Sequence, residues 1–124
     1  LEENFFEGKI PEGYYSLETL QTLSLSDNDL TGTLSSNIAN MEALESLLIN
    51  GNRLSGGIPT EIGNLGFLAN LWLQMNEFTG PIPTEIGRIR SLQWLDLSNT
   101  PLSGTVPSEL GLLNVLRFLD LYSM

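Results

Sequence analysis

Leu71-Trp72-Leu73-Gln74-Met75-Asn76-Glu77-Phe78-Thr79-Gly80-Pro81-Ile82-Pro83 is one copy of a pattern that recurs along this chain with a step of 24 residues. The clearest marker is the asparagine: Asn4, Asn28, Asn52 and Asn76 share the step. Two places after it comes an apolar residue (Phe6, Leu30, Leu54, Phe78, Leu102), and two further a glycine (Gly8, Gly32, Gly56, Gly80, Gly104). An aliphatic follows (Ile10, Leu34, Ile58, Ile82, Val106), and then, in four copies of five, a proline (Pro11, Pro59, Pro83, Pro107). A fixed period of this length is the mark of a solenoid, in which each unit buries its apolar side only against its neighbours. Such molecules present a long surface to a partner, which already points away from an enzyme.

Upstream of the asparagine the frame is equally regular. Leu20, Leu23 and Leu25 return as Leu44, Leu47 and Ile49, as Leu68, Leu71 and Leu73, as Leu92, Leu95 and Leu97, and as Leu116, Leu119 and Leu121. The Leu-x-Leu pair in each set has the period-2 alternation of a strand buried on one face. No hairpin turn separates successive copies, so the strands stack in parallel, each reached through a long return path. In that path Pro59-Thr60-Glu61-Ile62-Gly63, Pro83-Thr84-Glu85-Ile86-Gly87 and Pro107-Ser108-Glu109-Leu110-Gly111 read as single helical turns. There the hydroxyl is expected to cap a backbone N–H, the glutamate to sit at the positive end, and the glycine to make a left-handed exit. The asparagine amide offers donors and an acceptor at once, so it is assigned the structural task of satisfying turn backbone between coils.

With these residues in view, Leu71 to Pro83 resembles the plant-type leucine-rich repeat, L-x-L-x-x-N-x-L-[S/T]-G-x-I-P, over the whole chain, in four full copies and two partial ones. The resemblance implies an α/β solenoid, a right-handed horseshoe or superhelix with a parallel sheet on the concave side and turns or short helices on the convex side. Ectodomains of receptor-like kinases and polygalacturonase-inhibiting proteins share the pattern, and what it implies for function is molecular recognition. Four positions depart from it. Ser35 stands for the proline, Ala39 and Tyr15 for the exit glycine, and Thr100 for the ladder asparagine. The first three put the early turns in question, and the last predicts a weaker rung, since a hydroxyl cannot do the work of an amide.

Residues 1–124 are read as one leucine-rich-repeat domain. The sequence opens in mid-strand, with Leu1 aligned to Leu25, and Met124 aligns with Asn28 just after a strand. Polar caps are absent, so the reading is of a fragment with partial repeats at both ends, able to self-associate through its uncapped ends. Its compartment is left open: an extracellular or membrane-anchored ectodomain follows from the resemblance, and an intracellular scaffold or enzyme-inhibitor module is the alternative.

Fifteen acids stand against five bases, a net charge of −10. That disfavours nucleic acid and direct contact with an anionic membrane, both of which attract basic patches. With no His and no Cys, the commonest general base, metal ligand and thiol nucleophile are all missing, so no catalytic residue, cofactor or metal site is assigned. Asp27-Asn28-Asp29 lacks the spaced ligands of a calcium loop and reads as solvated residues around the ladder.

In the strand frame, residues between the leucines face outward and stack into columns. One column runs Thr22, Ser46, Asn70, Trp94, Phe118; the next Ser24, Leu48, Trp72, Asp96, Asp120; then Ser26, Asn50, Gln74, Ser98, Tyr122; then Asp27, Gly51, Met75, Asn99, Ser123. The amino-terminal half is small and polar, whereas the other half gathers rings. The predicted partner-binding residues are therefore Trp72, Trp94, Phe118, Asp96, Asp120, Gln74, Tyr122, Met75 and Leu48, for a protein or peptide ligand on the concave face. Trp72 and Trp94 are expected to touch across adjacent strands. The plainer reading is that these rings stiffen the sheet and the two aspartates are merely solvated. A different class of function would use the hydroxyls Thr31, Ser55, Thr79 and Ser103 for ice or glycan, but the accompanying Thr33, Gly57, Pro81 and Thr105 are too irregular for a lattice.

Overall fold

A computed structural model describes residues 5–123; Asn4, the first ladder position of the sequence reading, lies outside the described residues with Leu1 and Met124. The described residues form nine short strands and five single 3₁₀ turns. The strands are β1 (Glu7–Lys9), β2 (Thr22–Ser24), β3 (Asp29–Thr33), β4 (Ser46–Leu48), β5 (Arg53–Gly56), β6 (Asn70–Trp72), β7 (Glu77–Phe78), β8 (Trp94–Asp96) and β9 (Phe118–Asp120). They form two parallel sheets, β2-β4-β6-β8-β9 and β1-β3-β5-β7. The first is the expected leucine sheet; the second, built on the segment after each asparagine, was not foreseen.

The sheets differ in register. In the five-stranded sheet Thr22, Ser46, Asn70, Trp94 and Phe118 are direct lateral neighbours, so each strand stacks in step with the repeat. In the four-stranded sheet Lys9 faces Thr31 and Thr31 faces Arg53, residues two short of the repeat. Each strand there slips two residues per coil. With strands about 4.8 Å apart and about 3.3 Å per residue, equivalent residues lie about 8 Å apart on this side, against about 4.8 Å on the other. The inequality makes the stack turn as it grows.

Between the sheets lies a continuous leucine core. Leu44, Leu47, Ile49, Leu68, Leu71, Leu73, Leu92, Leu95 and Leu97 are wholly inaccessible, each burial contributing about 1.5–3 kcal/mol. Their equivalents in the last coil are not: Leu119 is 44 % exposed. Along one edge runs the asparagine ladder. Asn52 Oδ1 accepts from Leu30 N–H at 3.0 Å, while its Nδ2 donates to Leu25 O of the preceding coil at 2.9 Å and Ile49 O of its own at 3.1 Å. Asn76 repeats this with Leu54 N–H, Ile49 O and Leu73 O, and Asn28 Oδ1 accepts from Phe6 N–H. At Asn52 and Asn76 the amide thus joins backbone of its own and of the preceding coil.

Thr100 breaks the ladder as expected. It is buried, and its hydroxyl donates within its own coil, to Leu97 O at 2.6 Å. The next residue compounds the loss. Pro101 stands where Asp29 donates its N–H to Phe6 O, and proline has no N–H to give. The second sheet accordingly stops at β7, and one bridge, Gly80 to Leu102, carries the pairing onward.

The return turns are all 3₁₀: Glu12–Ser16, Ser36–Asn40, Thr60–Asn64, Thr84–Arg88 and Ser108–Leu112. Two expectations about them are corrected. The N-cap position is held by Pro59, Pro83 and Pro107 without a side-chain cap; Thr60, Thr84 and Ser108 lie inside the turn and donate to the neighbouring Glu61, Glu85 and Glu109 carboxylates. Nor are Gly63, Gly87 and Gly111 left-handed; the positive-φ glycines are those of the [S/T]-G step and Gly51. Gly63 and Gly87 are small because the next coil is close: a Cβ on Gly87 would lie 2.5 Å from Glu109 O.

The departures at Ser35 and Tyr15 compensate one another. Unlike proline, Ser35 has an N–H, and the buried Tyr15 hydroxyl accepts it at 3.4 Å. Ser35 Oγ then caps the turn by accepting from Asn37 N–H at 3.2 Å. Both early turns therefore form despite the unusual residues.

Candidate functional site

The exposed face of the five-stranded sheet divides as its sequence columns do. In the amino-terminal half the polar side chains satisfy one another: Ser26 Oγ donates to Asn50 Oδ1 at 2.6 Å, and Asn70 Nδ2 donates to Ser46 Oγ at 2.9 Å. In the other half the outward residues are rings. Trp72 lies between Leu48 and Asp96 in the lateral order, and Trp94 lies between Asn70 and Phe118. Trp72, Trp94 and Phe118 are each about 36–40 % exposed, as wide rings standing on a half-covered surface must be.

The expected ring contact is redrawn. The stacked pair is Trp94 with Phe118, centroids 5.1 Å apart and planes inclined by 22°. These two share a column, so parallel register sets them side by side, whereas Trp72 and Trp94 belong to different columns. Trp72 is neighboured instead by the half-buried Leu48 and Asp96.

Asp96 and Asp120 are direct lateral neighbours, as the columns predicted. Each also has a local task. Asp96 Oδ1 accepts from Ser98 N–H at 3.0 Å and Ser98 Oγ–H at 2.7 Å, and Asp120 Oδ1 accepts from Tyr122 N–H at 2.9 Å. These bonds hold both carboxylates against the turn that follows the strand.

Two columns do not stand outward as expected. Ser26 and Ser98 are buried, and Gln74 is half-buried, its Oε1 enclosed and without a hydrogen-bond partner among the described residues. Tyr122, last in that column, is 72 % exposed. The following column is a turn: Asp27, Met75, Asn99 and Ser123 adopt φ of 53–56°, and Gly51 adopts 63°. Met75 is thus both exposed and held in a left-handed conformation that costs a side-chain-bearing residue about 1–2 kcal/mol. The glycine at position 51 was the one sequence signal of this backbone.

The described residues contain no cluster of acids able to hold a metal ion, and no helix among them is long and apolar enough to cross a membrane.

Comparison with known proteins places this architecture. A search against curated protein sequences returns no match. Among solved structures, the plant peptide hormone receptor RGFR1 in complex with RGF2 matches at 38 % identity and a TM-score of 0.94, over 95 % of this chain and 19 % of that one. The Arabidopsis receptor kinase HAESA, in complex with the peptide hormone IDA and the co-receptor SERK1, matches at 31 % identity and a TM-score of 0.96, over 99 % and 21 %. A plant ice-binding protein matches at 32 % identity and a TM-score of 0.85, over 89 % and 36 %. The chain spans about a fifth of the length of the two receptors and just over a third of the ice-binding protein. A Leucine Rich Repeat family model matches residues 19–41, 43–65 and 91–113, more than half of the sequence. The chain belongs to the leucine-rich repeat family.

Proposed function

We propose that this chain is a protein- or peptide-binding module of a receptor-like protein, and that the partner seats on the aromatic half of the five-stranded sheet. The observation that carries the reading is the Trp94–Phe118 stack beside Trp72, exposed on a sheet whose other half is self-satisfied. Rings held by a rigid sheet lose little entropy on binding and anchor interfaces out of proportion to their number. Asp96 and Asp120 lie alongside, which favours a partner carrying Arg or Lys next to an apolar residue; Leu48, Gln74, Met75 and Tyr122 border the patch. The solved receptors that match this chain bind peptide hormones, which supports the same class of ligand.

The test is selection of a displayed random peptide library on the intact chain, followed by affinity measurement on single variants. Enriched peptides should carry basic and apolar residues, and Trp94→Ala should weaken them at least about tenfold, as for an interface anchor. Binding unchanged in a Trp72→Ala/Trp94→Ala double variant would sink the proposal.

The match to an ice-binding protein favours a second reading, in which the four-stranded sheet is the working face. The register counts against it. Because each strand slips two residues, Thr31 lies beside Arg53 and Ser55 beside Glu77, so the hydroxyl column runs diagonally among charges. Arg53 is itself paired with Asp29 at 3.0 Å. Ice-recrystallisation assays on the wild-type chain decide this: inhibition there would restore the second reading.

A further inference from the structure

One flank of the solenoid, at the start of the strands, has a charge order that no role so far uses. Backbone hydrogen bonds stack its residues coil upon coil: Ala43 N–H to Glu18 O, Glu45 N–H to Gln21 O, Ala69 N–H to Glu45 O, Gln93 N–H to Ala69 O and Arg117 N–H to Gln93 O. Reading upward, the first two coils present Glu18, Glu42 and Glu45, and the last two present Arg90 and Arg117, all exposed. Phe67 stands in the middle coil, 68 % exposed, beside an open groove of about 240 Å³ lined by Gln21, Ala43, Glu45 and Phe67. The ion pair among the described residues is Arg53 with Asp29, on another face, so these flank charges have no ionic partner among the described residues.

We infer that this flank is a self-complementary contact surface whose partner is a second copy of the chain, related by a two-fold axis through Phe67. A two-fold axis across the stack reverses the order of coils. It therefore lays Glu42 and Glu45 of one copy opposite Arg90 of the other, and Glu18 opposite Arg117, with the Phe67 rings meeting at the centre. An isologous contact needs this property, that a patch complements its own inverted image. A uniformly acidic flank would repel its copy, as the rest of a chain of net charge −10 does. Five coils at about 4.8 Å make the strip about 20 Å long, and at about 10 Å wide it covers on the order of 200 Å², far below the ~800 Å² per partner of a stable complex. The contact is weak, with a Kd on the order of 0.1–1 mM.

Charge-swap sedimentation equilibrium on the whole chain tests it. Glu18→Lys/Glu42→Lys/Glu45→Lys makes the flank wholly basic, and Arg90→Glu/Arg117→Glu makes it wholly acidic. Each variant alone should dimerise at least about tenfold more weakly than wild type, and an equimolar mixture of the two should recover the wild-type constant, because every swapped contact is again opposite in sign. Phe67→Asp should abolish association without shifting the melt, its side chain being mostly in solvent. Arg90 donates to Leu112 O, so the pair Glu18→Lys and Arg117→Glu serves if the double variant melts early. A wild-type chain monomeric at about 2 mM overturns the inference, as does a mixture no better than its components. Association lost in Leu119→Glu and retained in Phe67→Asp overturns it too, by moving the contact to the exposed leucine of the last coil.

Discussion

Replacing Thr100 with Asn should stabilise the protein, against the usual direction of substitutions at buried sites. In the coils before the break, Asn52 and Asn76 each make two bonds that cross to the preceding coil. For Asn76 these are Leu54 N–H to Oδ1 at 3.0 Å and Nδ2 to Ile49 O at 2.9 Å. The corresponding groups for position 100 are Phe78 N–H and Leu73 O. Thr100 reaches neither, its hydroxyl being committed to Leu97 O. An intramolecular hydrogen bond contributes about 0.5–1.5 kcal/mol net, so two bonds, less the cost of fixing a longer side chain, give about 1–2 kcal/mol. For a chain of this size that raises Tm by about 4–7 °C. Urea unfolding followed by circular dichroism measures the gain, and amide exchange at Phe78 localises it. The reasoning is refuted if Thr100→Asn unfolds no later than wild type while exchange at Phe78 is unchanged. Asn52→Ala sets the scale from the other side, expected to cost about 1–3 kcal/mol by leaving Leu30 N–H buried without its acceptor, while Leu25 O keeps its bond from Asn28 Nδ2.

Tyr15→Phe should cost about 0.5–1 kcal/mol in the wild type and nothing in Ser35→Pro, where no N–H remains to be accepted; a double-mutant cycle reads the coupling. Burial raises the Tyr15 hydroxyl above its ordinary value of 10.0; the Ser35 N–H opposes that and Glu12 adds to it. The folded state therefore holds this proton more tightly, so the associated stability is complete below pH 10.0 and declines as pH rises from there toward the higher folded value. Tyr15→Phe should flatten that alkaline limb in a melting series. Met75→Gly should raise stability by about 1 kcal/mol by relieving its left-handed backbone, and denaturant midpoints check the sign. Gly87→Ala should cost about 1–3 kcal/mol because its Cβ meets Glu109 O, whereas Gly111→Ala, with nothing within 4 Å, should be tolerated; equal effects would disprove the packing account.

Much of this molecule was legible because a repeat states each rule several times. The leucine columns and the asparagine ladder came directly from period-2 alternation and the chemistry of an amide. The failing rung at Thr100 was visible for the same reason. What escaped was geometry that no residue type encodes. The second sheet has no alternating apolar run; its strands are held by neighbours on the stack, and Gly8, Gly32 and Gly80 lie within or beside it. The glycines of the return turns were assigned to backbone freedom when their cause is the closeness of the following coil. On the candidate face, the columns placed the rings strand by strand, yet which rings meet depended on register. Parallel pairing joins Trp94 to Phe118, and Trp72 answers to Asp96. Burial of Ser26 and Ser98 followed from the turn beyond the strand, which only the Gly51 position hinted at.

The two-residue slip of the second sheet has a consequence for how such a chain can change. Lengthening one side of the stack more than the other means that repeat number sets bearing as well as reach. A unit of 24 residues inserted between the Asn52 and Asn76 coils would leave every local contact intact. It would nonetheless swing Trp72 and Trp94 to a new heading relative to the amino-terminal coils. Deletions would swing them back. Evolution or design can therefore aim the aromatic surface by counting repeats, without altering any residue within it.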